Sequence, residues 1–182
     1  SEYLANPTDR CYFCKDTLYE HLAALCRDRG FKTVVNGINI DDLGDHRPGI
    51  AAAREHGVRA PVADAGMTKA DVRALSEMLN LPTFDKPASP CLSSRVPYGE
   101  PVTTEKLRMI EEGEAFLHEM GLRECRVRHH DTLARIEVPA EWIAKLAEPD
   151  RAEQIARKFR EIGYQHVTLD LRPFRSGSLN EF

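Results

Sequence analysis

PTFDKPASPCLSSRVPYGEP (82–101) packs five prolines, three serines and one cysteine into twenty residues. Proline has no backbone N–H and a fixed φ, so a run this rich in it forms neither a regular helix nor an interior strand. The stretch reads as a long loop or linker, and long loops in compact proteins are commonly functional or disordered. It divides the chain into two textures, one on each side.

Upstream, helix and strand signals alternate. Residues 15–29 carry Leu18, Leu22 and Leu25 at helical spacing, with Gly30 as the stop. The β-branched run Thr33-Val34-Val35 predicts a short buried strand over 31–36. Residues 36–42 are too rich in turn formers to be a regular element. A helix is predicted over 48–56, closed by Gly57, then an extended piece over 58–62. Thr68 is a good N-cap for a helix over 69–79, with Asp71 in its first turn. Alternation at this pace predicts a parallel, helix-covered sheet.

Downstream, the order is α-β-β-α-α-β. A helix over 104–120 aligns Leu107, Ile110, Glu114 and Leu117 on one face, with Gly121 following. Strands over 124–130 and 132–138 flank a tight turn at Asp131. Helices over 140–147 and 151–162 lead to a strand over 166–171. This predicts a small α+β domain. No internal repeat and no low-complexity tract interrupts either half.

Composition bounds the rest. The chain has 182 residues, 42% apolar and 30% charged, with a net charge of −4, as expected of a globular protein. No apolar run is long enough for a membrane helix, and no signal peptide opens the sequence, so no membrane association is expected. The basic residues are scattered rather than gathered in a stripe, which disfavours a nucleic-acid partner. Five cysteines, two of them in a CxxC, fit metal or thiol chemistry in a reducing, cytoplasmic compartment better than a disulfide framework.

Four groups of residues could carry chemistry. Cys91 lies in a Pro- and Ser-rich loop between Lys86 and Arg95, whereas Cys26 sits on an apolar helix face as a structural cysteine does. Cations near a thiol favour the nucleophilic thiolate. Cys11 and Cys14 could share a metal, because two intervening residues let both sulfurs face one ion. A zinc completed by a histidine, a dithiol–disulfide pair, or a cluster completed by Cys91 all remain open. Three thiolates on a 4Fe-4S cluster would leave one iron for an external ligand.

Arg126, Arg128 and His130 alternate onto one strand face, which suits a phosphate or carboxylate. The plainer reading is a solvated face paired with acids such as Glu137. Neighbouring His129 and His130 point to opposite faces, which argues against a shared zinc. Finally, residues 36–42 and the helix start at Thr68-Lys69 fit a nucleotide site, with Lys69 toward phosphate and the aspartates toward magnesium or ribose. An ordinary turn and cap would look the same.

The motifs NPTDRCYFCK (6–15), NGINIDDLGDHRPG (36–49), TKADVRAL (68–75), DKPASPCLSSRVPYG (85–99), RVRHHDTLARIEVP (126–139) and FRSGSLN (174–180) resemble the LarE family. These are ATP-dependent sulfur transferases of nickel-pincer cofactor synthesis, within the PP-loop ATP pyrophosphatases. The resemblance implies an α/β fold: a Rossmann-like PP-loop parallel sheet over residues 1–100 and a small α+β domain over 101–182 that assembles the oligomer. It also implies that the chain corresponds to the family's C-terminal two-thirds, without the Ser-Gly-Gly-x-Asp-Ser loop. A polypeptide starting at Ser1 would then not adenylate.

By the same resemblance, ATP with Mg2+ activates a carboxylate of pyridinium-3,5-biscarboxylic acid mononucleotide, a nicotinate-derived substrate, and sulfur attacks the acyl adenylate. Cys91 would be the sulfur-handling residue. Ser94, Glu114, Arg126, Arg128 and Arg175 would line the substrate and phosphate site, and Asn39, Asp41 and Lys69 the nucleotide site. Either Cys91 gives up its own sulfur and becomes dehydroalanine, as in single-cysteine members, or Cys11, Cys14 and Cys91 hold a 4Fe-4S cluster, as in three-cysteine members; the protein would be a homo-oligomer, a trimer or hexamer. Two other readings stay in view: a PP-loop enzyme that thiolates tRNA, and a non-catalytic CxxC metal module.

Overall fold

In the computed structural model, residues 2–44 and 47–175 are described. The chain forms two compact units, Ser1–Lys86 and Pro87–Phe182. Pro87, within the Pro-rich loop, opens the second unit.

The first unit is almost wholly helical. Helix α1 spans Arg10–Arg29 and stops at Gly30, whose φ of 70° suits a residue without a Cβ. It starts five residues before the predicted position, and the CxxC forms its first turn. The early start has an anchor: Arg10 is only 2% exposed and donates to the buried Asn6 side chain. Helix α2, Pro48–Glu55, begins on a proline that loses no helical hydrogen bond there. Tyr19, Ala52 and Ala53 form the centre of the α1–α2 contact. At Gly49 a Cβ would lie 2.9 Å from Lys15 Cγ and 3.3 Å from Cys11 O, so only glycine permits that approach.

The parallel sheet expected here is reduced, among the described residues, to one bridge between Val35 and Arg59. Asn36 N donates to Arg59 O at 2.9 Å, and Arg59 N donates to Val34 O at 3.0 Å. The extended piece cannot continue because Pro61 has no N–H for a ladder and instead opens the short helix α3, Pro61–Asp64. Helix α4, Lys69–Met78, matches its sequence signal: Thr68 and Asp71 form a reciprocal capping box.

The second unit follows its predicted order. Helix α5, Thr104–Glu119, is capped by Thr103. Strands β1, Arg126–His130, and β2, Leu133–Glu137, pair antiparallel. Asp131 turns between them at φ 53°. Helices α6, Ala140–Leu146, and α7, Pro149–Ile162, lead to β3, His166–Leu169, which pairs parallel with β2. The sheet order is β1-β2-β3.

Period-2 alternation divides the sheet's side chains. Val127, Ala134 and Ile136 join Leu117, Phe159, Tyr164 and their neighbours in the core. Arg126, Arg128 and Glu137 take the opposite face. His129 is on the core face, 3% exposed, with Nδ1 3.2 Å from the Tyr164 hydroxyl. The fold is thus mixed α/β, with a three-stranded sheet in its second unit.

Two outcomes test this packing. A Cβ on Gly113 would sit 3.1 Å from Phe159 Cζ and 3.4 Å from Val127 Cγ2. Gly113→Ala is expected to cost about 1–3 kcal/mol in urea unfolding, with Phe159→Leu in the same chain recovering part of it. Burial, reinforced by Lys106, pushes the His129 pKa below its ordinary value. The unfolded chain therefore binds its proton first as pH falls, so the stability tied to neutral His129 is present above about pH 6.5 and declines below it. His129→Gln should flatten that part of the pH–stability curve.

Candidate functional site around the Cys91 loop

Prolines 87 and 90 remove two backbone donors from the loop ahead of Cys91, which limits how far it can brace itself through its own amides. Its regular content is one 3-10 turn, Leu92–Arg95, with Ser94 N donating to Cys91 O at 3.0 Å and Val96 N to Ser93 O at 3.1 Å. Arginine side chains add further support.

Arg95 is 3% exposed and Glu114, on α5, is 7% exposed. They form a two-point pair: Nε to Oε1 and Nη2 to Oε2, both 2.9 Å. The remaining nitrogen, Nη1, donates to Pro90 O at 2.9 Å, Cys91 O at 3.1 Å and Ser94 Oγ at 3.0 Å. Glu114 Oε1 also accepts from Val127 N at 3.0 Å, so the carboxylate is fixed to β1 as well as to the loop.

The other two arginines repeat the pattern. Arg128 meets Glu137 at two points, 3.0 and 2.8 Å, and donates Nη1 to Ser94 O at 2.8 Å. Arg126 donates to Cys125 O at 2.6 Å and Ala88 O at 3.0 Å; its guanidinium lies 4.6 Å from the centre of the Phe174 ring. Burial pulls the Arg126 pKa down, with the nearby Arg95 charge in the same direction. Three guanidiniums therefore hold the carbonyls of residues 88, 90, 91 and 94, and two buried glutamates hold Arg95 and Arg128.

This corrects the picture of an open cationic face. Arg126 and Arg128 share a face, as alternation requires, but they are 8% and 7% exposed and bonded to protein. The reading of a solvated face was half right, since Glu137 is the partner of Arg128 but the pair is buried. Ser94 is half-buried and already engaged through both its hydroxyl and its carbonyl. Arg175 is exposed at the edge of the described residues, and the rest of its motif, 176–180, lies outside them. In the sequence Arg95 reads only as a cation near the thiol. The signal for more was Glu114, an acid on an otherwise apolar helix face, which demands a buried partner.

The nucleotide-type residues belong to the first unit. Asn39 Oδ1 accepts from Asp41 N at 3.0 Å and Asp42 N at 3.3 Å, a side-chain turn that bends 36–42. Asp41 Oδ2 accepts from Lys69 N at 2.8 Å, and the Thr68 hydroxyl accepts from Asp71 N at 3.1 Å. The Thr68 hydrogen bonds hold the Asp71 carboxyl below its usual range. Asn39, Asp41 and Lys69 do come together, but the first turn of α4 is already capped by carboxylates, so a phosphate there would displace Asp41.

No protein-family model matches the sequence. A protein of Lactiplantibacillus plantarum named pyridinium-3,5-bisthiocarboxylic acid mononucleotide synthase is 37% identical over 97% of this chain and 63% of its own length. The chain belongs to the LarE family. Uncharacterized proteins of Synechocystis and Methanocaldococcus jannaschii are 46% and 32% identical, over 98% and 95% of this chain and 66% and 67% of theirs. The chain spans about two thirds of the length of these relatives. Among the described residues no helix is long and apolar enough to cross a membrane.

The three cysteines of the motifs fall in different units. Cys11 and Cys14 are exposed, one helical turn apart on α1 of the first unit, and Cys91 is exposed on the loop of the second. Among the described residues, no three histidine, cysteine or acidic side chains gather as metal ligands. Cys125 is buried, its thiol pushed up to about 12 by burial and by the Glu114 charge. Brief alkylation of the folded protein is expected to mark Cys11, Cys14 and Cys91 and to spare Cys125 until unfolding, as peptide mass mapping would show.

Proposed function

We propose that the protein acts in ATP-dependent sulfur insertion, with Cys91 as the sulfur donor. The observation that carries this reading is an exposed thiol on a loop clamped by buried arginines, in a chain 37% identical to a thiocarboxylate-forming synthase. The substrate is a carboxylate of pyridinium-3,5-biscarboxylic acid mononucleotide. Its attack on the α-phosphorus of ATP releases pyrophosphate and leaves an acyl adenylate. The Cys91 thiolate then attacks the acyl carbon and AMP departs, because a soft sulfur competes well with water at neutral pH. Elimination across the Cα–Cβ bond, with loss of the Cα proton to a base, frees the thiocarboxylate and leaves dehydroalanine at position 91.

The nucleotide would sit on a Rossmann-like PP-loop sheet that includes the Val35–Arg59 bridge, with Lys69 toward phosphate and Asp41 toward Mg2+. Ser94, Glu114, Arg126 and Arg128 support the sulfur site through the loop contacts already described, and Arg175 would meet substrate. Assembly as a homo-oligomer through the second unit belongs to the same proposal.

A second reading rests on Cys11 and Cys14, exposed together on one turn of α1. A 4Fe-4S cluster would take these two thiolates and Cys91. Cys11 and Cys14 belong to the first unit and Cys91 to the second, and the sacrificial route followed above needs Cys91 alone.

One measurement separates the two. The full-length protein is incubated with ATP, Mg2+ and the mononucleotide, and its intact mass is followed. Sacrifice of Cys91 predicts one turnover per chain and a loss of about 34 Da, the mass of hydrogen sulfide, abolished by Cys91→Ala but not by Cys11→Ala or Cys14→Ala. Repeated turnover with added sulfide by an iron-loaded protein would instead establish the cluster.

A further inference from the structure

We propose that Arg95 is a positioning residue for Cys91, acting by the geometry of its guanidinium rather than by its charge. The inference rests on the sulfur-donor reading for its functional part, but its structural part stands on the contacts alone. Arg95 Nη1 bonds the two carbonyls that flank the Cys91 α-carbon, those of Pro90 and of Cys91 itself, at 2.9 and 3.1 Å. Its other two bonding nitrogens are locked onto Glu114. Glu114 is in turn locked onto Val127 N.

The path from sheet to cysteine backbone therefore has no free joint: β1 amide, Glu114 carboxylate, Arg95 guanidinium, Cys91 carbonyl. Pro87 and Pro90 cannot donate, and Ser94 N is the backbone amide that shares Cys91 O with Arg95.

The guanidinium fork is what makes this possible. Arginine presents donors in one rigid plane, enough to grip a carboxylate at two points and still reach two carbonyls; a lysine ammonium is a compact point charge on a flexible stem. A through-charge role would survive Arg95→Lys, and a geometric role would not. Buried donors are also held more firmly than exposed ones, because the carbonyls would otherwise lose their partners.

The test uses the full-length protein and two readouts. Arg95→Lys is expected to raise hydrogen–deuterium exchange at the amides of Ser94 and Val96 by about tenfold or more, leaving α1 unchanged. In single-turnover assays it should slow sulfur loss from Cys91 by at least about tenfold while leaving KM for the mononucleotide unchanged. If Arg95→Lys does not fold, Arg95→Gln combined with Glu114→Gln removes the buried charges as a pair and takes its place. Unchanged exchange at Ser94 and Val96 in a folded variant overturns the proposal, as does a full rate of sulfur loss with lysine at position 95. If exchange rises as expected but the unmodified protein never transfers sulfur, the positioning holds and the sulfur-donor reading fails.

Discussion

Everything near the cysteine loop depends on one buried ion pair, Arg95 with Glu114. Moving either charge out of water is costly, and their attraction offsets that cost only when geometry and extra hydrogen bonds are good. Both conditions are met: two contacts of 2.9 Å between the partners, and further bonds from each to backbone. Removing one partner would leave the other charged and unpaired, a loss of about 3–5 kcal/mol in comparable buried pairs. The interaction is thus weak as a source of net stability and strong as a constraint on shape.

That constraint explains how a loop so poor in its own hydrogen bonds can hold the exposed Cys91 in place. Strand β1 supplies Arg126 and Arg128, helix α5 supplies Glu114, and strand β2 supplies Glu137. The core of Val127, Ile136 and Phe159 fixes these elements relative to one another. Packing on one face of the sheet therefore sets the loop on the other, since alternate residues of a single strand serve both. A disturbance at Gly113 or Phe159 would reach the loop through β1.

The first unit is organised differently. Its ordered centre is the contact between α1 and α2, and its turn-rich stretch is held by side chains that close onto backbone: Asn39 onto the amides of 41 and 42, Asp41 onto Lys69. These bonds join the residues of the candidate nucleotide site in advance of any ligand. Cys11 and Cys14 emerge where α1 begins, their place set by the buried Arg10 and Asn6 rather than by the sulfurs.

By itself the sequence determined the local elements whose signals are short-range. The capping box at Thr68, the stop at Gly30, the turn at Asp131 and the α-β-β-α-α-β order were all legible, because caps, turns and periodicity act over a few neighbours. Only the tertiary structure decided the rest. A β-branched run at 33–35 signals extended chain, but whether it becomes a strand depends on partners distant in sequence, and here it makes one bridge. Arginines at 126 and 128 signal positive charge, but whether that charge faces a ligand or the protein depends on which acids and carbonyls the fold brings within 3 Å. Pairings such as Arg95 with Glu114 join residues nineteen positions apart, and no local rule specifies them. They arise because a buried charge must find its counter-charge, and the packing of the whole unit determines where that partner lies.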